Sequence, residues 1–392
     1  MQKVHLPEPD PIALQHSQAL QHKIIQAMQQ NTDHHIDFSH YMNMALYEPG
    51  LGYYSSASQK FGAQGDFITA PEVSPLFAQC LAHSVADVLA QMSAAHIIEF
   101  GAGSGILAVD LLLALEQLKQ LPEQYFIIEL SAHLQQRQQT LIRERIPHLQ
   151  HKIKWLQALP NEKINAVVIA NEVLDAMPVQ RFIIQQHKTQ QIGVQHLDNL
   201  QLKTIPADAV LSQAVQSIEH NLHRHFPENY CAEINAYAQP WLTSLSASLH
   251  QAAIFLIDYG YHQAEYYSLE RHMGTLMCYY QHRSHADALR YPGLQDITAF
   301  VDFTAIAEAA LTANFEVDGY TNQASFLLAC GLAELTEPLM SSDVQQQLLL
   351  SQQIKTLTLP SEMGERFKVM ALSKNLKKAI HGFELRDFRD RL

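Results

Sequence analysis

Residues Ile97-Ile98-Glu99-Phe100-Gly101-Ala102-Gly103-Ser104-Gly105 decide the reading of this 392-residue chain. Apolar residues run into an acid, and glycines follow at every second position. A helical pattern continues from Ile106 to Leu118. The order is strand, tight turn, helix. Glycine opens φ values closed to other residues and lets a ligand lie against the main chain. The helix start adds unpaired N–H groups facing the same place. A dinucleotide fold places its third glycine one residue later, and here that position is Ile106. An ordinary tight turn and a nicotinamide site remain open at this point.

Further strands follow. Tyr125-Phe126-Ile127-Ile128-Glu129-Leu130 is apolar until its closing acid. Glu129 comes 24 residues after Gly105, near the ~20 at which nucleotide folds place a ribose-binding acid. Ile153–Leu156 is a weak third strand, and Ile164–Ala170 a fourth. The fourth leads into Asn171-Glu172-Val173-Leu174-Asp175-Ala176-Met177-Pro178. Ala253–Asp258 is a fifth, again closed by an acid. Short, fully apolar runs separated by helices indicate a parallel sheet covered on both faces. Such sheets bind ligands at the carboxyl ends of their strands, which is where these acids fall. Asn171-Glu172 begins like an Asn-Pro-Pro-Tyr methylation motif but lacks its prolines and its aromatic.

Composition narrows the class. Hydrophobic residues make 47% of the chain and charged ones 17%, a globular balance. The net charge of -13 argues against a broad nucleic-acid surface, with local basic pockets still allowed. Cys80, Cys231, Cys278 and Cys330 are scattered and read as buried free thiols. The His spacing matches no standard metal site, so none is expected. The first residues carry no apolar signal core, and no run of 18 apolar residues occurs. A cytoplasmic protein without a membrane span is expected.

Residues 12–30 read as a packing helix, and Ser39 as the cap of a short one. Residues 60–75, with two glycines, two prolines and two acids around Phe67, read as a lid or site wall. Helix 74–91 follows, capped by Ser74 with Pro75 first. A β extension is expected at 181–194, a helical region at 207–249 and mostly irregular chain at 262–303. A strand at 314–320, helices to about 357 and a last strand at 366–372 complete the chain.

Six stretches in order resemble one family. They are Leu46-Tyr47-x-Pro49-x-x-Gly52-Tyr53-Tyr54, Gly65-Asp66-Phe67-x-Thr69-x-Pro71-Glu72, Glu99-x-Gly101-x-Gly103-x-Gly105, Asn171-Glu172-x-x-Asp175-Ala176-x-Pro178, Asp258-Tyr259-Gly260 and Asp296-x-Thr298-x-x-Val301-Asp302-Phe303. Together they resemble the MidA family of class I S-adenosylmethionine (SAM) methyltransferases. Its mitochondrial members are protein arginine methyltransferases needed for respiratory complex I assembly. The stretch around Met277 departs from the family in lacking a basic residue.

The resemblance implies an α/β fold, a Rossmann-like sheet with helical insertions behind an N-terminal helical and lid segment. It divides the chain into 1–95, a first core part 96–206, a helical insertion 207–250, a second core part 251–321, and a helical cap with last strand 322–392. The inserts at 207–249 and 322–360 would cap the substrate side. SAM is the implied cofactor. Gly101, Gly103 and Gly105 would hold its methionine end, Glu99 its amine side and Glu129 its ribose. Gly65, Asp66, Phe67 and Thr69 would close over it, with Asn171 beside it. Glu172, Asp175 and Glu72 would face the acceptor. The implied partner is a protein substrate, a respiratory-complex subunit among the candidates. A small-molecule or RNA methyltransferase, and an assembly factor holding SAM without turnover, are the alternatives.

Overall fold

Seven strands lie side by side in an eight-stranded sheet in a computed structural model that describes residues 6–56, 68–339 and 343–392. They are β1 (His96–Phe100), β2 (Tyr125–Ile128), β3 (Ile153–Leu156), β4 (Ile164–Asn171), β5 (Leu249–Tyr261), β6 (Glu316–Asn322) and β7 (Phe367–Lys374). Their order across the sheet is β6-β7-β5-β4-β1-β2-β3. β1 to β5 are parallel, and β7 runs antiparallel between β5 and β6. The chain leaves β1 toward β2 and returns on its other side as β4. That reversal opens a crevice at the carboxyl ends of β1 and β4.

Successive side chains of a strand point to opposite faces, and both faces are filled. Ile97, Val167, Ile169, Phe255 and Ile257 pack under helices Pro75–Leu89 and Ile106–Gln117. Ile98, Val168, Ala170, Ile254 and Leu256 pack under helices Ala238–Ser248 and Phe303–Thr312. This double burial is why the strands read as continuous apolar runs. Ser74 caps helix Pro75–Leu89 as its sequence suggests, accepting from Leu76 N. The four cysteines are buried and unpaired.

A second sheet differs from expectation. Strands Gln180–Gln185, Lys188–His196 and Leu200–Pro206 form antiparallel hairpins, and both His35–Asp37 and Cys231–Ile234 join them. The region 207–249 is therefore helix Ala209–Asn221, a strand, then helix Ala238–Ser248. Glu233 in that strand hides its burial, because its partner Arg181 is distant in sequence; the two lie 3.1 Å apart. Residues 262–303 are less irregular than expected, since Met277–Tyr280 pairs with both Arg283–His285 and Asp296–Thr298. The short helix Phe38–Tyr47 is capped by Asp37, not Ser39, which is buried inside it. Helix Gln323–Ala329 packs beside helix Pro75–Leu89, and helix Val344–Thr358 packs against helix Gln323–Ala329 and the short helix Ala70–Val73. None of the residues of these two outer helices lines the crevice.

Strand Val301–Asp302 extends the sheet beside the end of β5, pairing Gly260 with Val301. A Cβ at Gly260 would lie 2.1 Å from the Val301 carbonyl oxygen. Gly260→Ala is therefore expected to destabilise the chain by about 1–3 kcal/mol through overpacking. Urea unfolding checks this, and an unchanged midpoint would show that the two strands separate at no cost.

Candidate active site

The glycine turn leaves β1 with Gly101, Gly103 and Gly105 at φ 61°, 54° and 89°. All three are left-handed, which only glycine adopts routinely. Their surroundings differ. Gly101 to Ser104 line the crevice, whereas Gly105 does not. Gly105 is the N-cap of helix Ile106–Gln117, and a Cβ there would meet Gln138 at 3.1 Å. The third glycine thus admits helix Ala132–Arg145 at close range.

That approach uses Gln138, which the sequence hid among neighbouring glutamines. Gln138 is fully buried. Its Nε2 donates to Gly103 O (3.0 Å) and to Glu129 Oε2 (3.2 Å), and its Oε1 accepts from Trp155 Nε1 (2.8 Å). Ser131 N donates to the other Glu129 oxygen at 2.9 Å. One glutamine therefore fixes the turn and the acid of β2 together.

Glu99, the residue before the last of β1, is 3% exposed and accepts from Tyr125 OH at 2.8 Å. Burial pushes its carboxyl up to about 7, against the pull of the Tyr125 hydrogen bond. The folded chain thus binds this proton more tightly than the unfolded one. The stability contributed is present at low pH and is lost as pH rises from about 4.5 through about 7. Without ligand, Glu99→Gln is expected to gain on the order of 3 kcal/mol relative to wild type between about pH 5 and pH 8. Paired unfolding curves test this. A constant difference across that range would mean Glu99 titrates as an ordinary exposed acid.

At the end of β4, Glu172 takes φ 54°, a left-handed conformation uncommon for a residue with a side chain. Its N–H donates to Ile257 O at 2.8 Å, which holds the turn on β5. Asn171 Nδ2 donates to Glu172 Oε1 at 3.2 Å. Burial, then the Asp175 charge, raises the Glu172 carboxyl well above the usual range. Asp175 is 5% exposed and accepts from Tyr259 OH. Burial lifts its carboxyl to about 6, and the Tyr259 bond opposes that. Among the described residues, Asn171 Oδ1 and Asp175 Oδ1 are buried without a partner. Such atoms in a native fold call for a water or a ligand group.

Asp258 resembles a third ligand group in the sequence, but its carboxylate serves the backbone. It accepts from Leu174 N (3.0 Å), Asp175 N (3.2 Å) and Tyr259 N (2.9 Å). Of the N-terminal tyrosines, Tyr47 braces the same turn and Tyr54 reaches strand Asp296–Thr298. Tyr47 OH donates to Ala176 O and Tyr54 OH to Asp296 Oδ1, both at 2.9 Å.

The crevice is a cavity of about 610 Å³. Thr69, Glu72, Glu99, Gly101, Gly103, Glu129, Asn171, Glu172 and Asp175 all line it. Gly65, Asp66 and Phe67, with most of the lid reading, lie outside the described residues. Glu72, in the short helix Ala70–Val73, accepts from the Ser104 hydroxyl and so faces the glycine turn. Trp241 and Phe100, edge to face with centroids 5.3 Å apart, also belong to its wall. Trp241 carried no signal in the sequence because it arrives on a helix remote from every motif.

These residues suit SAM: glycine backbone for close approach, buried acids for an amine and ribose hydroxyls, and an apolar wall for a base. The comparisons agree. The family model Methyltransf_28, of S-adenosyl-L-methionine-dependent methyltransferases, matches residues 80–321. The chain is similar to a solved COG1565 superfamily member from Burkholderia thailandensis bound to S-adenosyl-homocysteine. The two are 40% identical with a TM-score of 0.93, over 99% of this chain and 100% of that one. It is also 28% identical to the Drosophila melanogaster protein arginine methyltransferase NDUFAF7 homolog, mitochondrial, over 86% of this chain and 81% of that protein. The Homo sapiens protein arginine methyltransferase NDUFAF7, mitochondrial, is 28% identical over 86% and 80%. The expected cytoplasmic location is overturned, because these relatives are named mitochondrial. Scattered thiols point to a reducing compartment and do not say which one. Among the described residues, no helix is long and apolar enough to cross a membrane. Matched over most of its sheet, its glycine turn and its strand-end acids, the chain belongs to the MidA-like family of SAM-dependent methyltransferases.

Proposed function

We propose that the acceptor is an arginine side chain of a protein, held by Glu172 and Asp175. One observation carries this reading: carboxylates gather at the end of β4, and no lysine or arginine lines the cavity among the described residues. A guanidinium is planar, keeps its charge and presents five donors that match carboxylates. The relatives named above are protein arginine methyltransferases, which supports the same acceptor.

SAM supplies a sulfonium-activated methyl group. The chain's own residues position the partners and handle a proton. Gly101 and Gly103 would lie against the methionine end, with Glu99 toward its amine and Glu129 toward the ribose. Glu172 and Asp175 would bind the guanidinium and aim one nitrogen. Burial favours the protonated form of both carboxyls without a cation nearby, most strongly at Glu172, while Asp175, at about 6, is largely ionised at neutral pH. An arriving guanidinium favours the ionised form, so its binding releases protons. The attacking nitrogen would take the methyl group as its bond to sulfur breaks, leaving a neutral thioether, and its proton would pass to a carboxylate or its bound water.

The test is incubation with labelled SAM and a lysate depleted of methyl groups, followed by mass spectrometry. Methylarginine in a protein is the expected product, and a respiratory-complex subunit is the first acceptor to examine. Label on RNA or on a metabolite would overturn the arginine reading. No transfer to any acceptor, with SAM bound, would favour an assembly factor.

A further inference from the structure

A groove of about 440 Å³ runs along helix Ala132–Arg145 beside the glycine turn, bordered by Ser104, His133, Arg137, Thr140 and Glu144. His133 and Arg137 are four residues apart, so they share a helix face. Arg137 Nη1 and His133 Nδ1 are buried without a hydrogen-bond partner among the described residues. Arg137 makes no ion pair there either, whereas Arg145 on the same helix reaches Asp110 at 3.7 Å. Buried donors without partners are rare and call for an occupant. His133 is also the second residue of a 14-residue helix, close to its positive end. Glu144, which also lines the groove, is about two turns beyond Arg137, and Glu129, the acid before the helix, is turned to Ser131 N and Gln138. In a chain of net charge -13, Arg137 and His133 sit together toward the helix start while the groove's acid, Glu144, is at its other end.

We propose that this groove is an anion-binding subsite. Arg137 and His133 grip the oxygens of a phosphate or carboxylate group. The guanidinium fork fits either anion with two parallel N–H···O bonds. The groove and the main cavity share Ser104 but no other lining residue, so SAM and the anion occupy adjoining but separate places.

Inorganic phosphate and acetate, titrated by calorimetry at constant ionic strength into the full chain saturated with S-adenosyl-homocysteine, test this. Saturable binding of at least one is expected. A preference for phosphate would identify a phosphate group, and equal or better binding of acetate a carboxylate such as an acidic side chain. Arg137→Gln should weaken binding by about tenfold or more, the scale of a charged hydrogen bond. Arg143→Gln, a control cation on the same helix, should change it less than about twofold. Should Arg137→Gln not fold, Arg137→Lys keeps the charge, loses the fork and should still weaken binding. Absence of binding by both anions, displacement of S-adenosyl-homocysteine by them, or equal loss in Arg143→Gln would each overturn the proposal. None of these readouts depends on methyl transfer, so the arginine reading stands or falls separately.

Discussion

Gly103→Val is expected to abolish detectable SAM binding by calorimetry while the chain stays folded. Two effects act in the same direction. Gly103 lies at φ 54°, where a β-branched residue is a true outlier. The turn cannot relax easily, because Gln138 holds the Gly103 carbonyl at 3.0 Å and is itself held by Trp155. If the turn keeps its shape, a valine side chain intrudes on the cavity wall that Gly103 forms. If it yields, the Gln138 contacts that fix Glu129 are lost with it. Either outcome removes the cofactor surface. Gly105→Ala makes the useful comparison. It adds a methyl group facing Gln138, not the cavity, and should cost stability more than direct contact with the ligand. A folded Gly103→Val that binds SAM within a few-fold of wild type would mean the ligand does not lie against this turn.

The parts of the fold that were legible are those whose burial is complete and local. β1, β2, β4 and β5 are covered on both faces, so every position favours an apolar residue and the run shows in sequence. Their strand-end acids stand out because an acid that interrupts such a run has few structural reasons to be there. The second sheet was only half legible. Its hairpin turn at Gln186 and His187 takes φ 51° and 58° without glycine, so the usual turn signal is missing. Cys231–Ile234 was missed because Glu233 makes the strand look solvated. Its charge is met by Arg181 on the neighbouring strand, a pairing that no local window contains.

Within the site, residue types were readable but duties were not. Asp258 and Asp175 are both acids at strand ends, yet Asp258 spends its carboxylate on three N–H groups of the turn. Asp175 keeps an unpartnered oxygen. Glu72 is expected toward the acceptor; it lines the same cavity and also accepts from the Ser104 hydroxyl, so it faces the glycine turn as well. The tyrosines of the Leu46–Tyr54 stretch had no assigned role. Their hydroxyls tie the N-terminal segment to Ala176 and Asp296, contacts more than a hundred residues apart in the chain. Each of these roles is set by which donor comes within reach, and that is a property of the topology.

Glu172→Gln is expected to lower methyl transfer by about 100-fold or more, the scale for losing a general base. SAM affinity should change by no more than a few-fold. The substitution keeps the size of the side chain, and Gln Oε1 can still accept from Asn171 Nδ2 as Glu172 Oε1 does. What it removes is the ability to ionise. In the wild type, burial and the Asp175 charge hold the Glu172 proton in place without a cation, and a bound guanidinium reverses that balance. Glutamine cannot follow, so the acceptor loses its counter-charge and the attacking nitrogen loses a route for its proton. The left-handed backbone at Glu172 is anchored through Ile257 O, which does not involve the side chain, so the turn should persist. Asp175→Asn provides a second measurement, because Tyr259 OH can still donate to an amide oxygen there. If both variants transferred methyl groups at the wild-type rate, the carboxylates of this turn would be structural, whatever the acceptor proves to be. If only Glu172→Gln did so, Asp175 with its unpartnered oxygen would be the group that takes the proton.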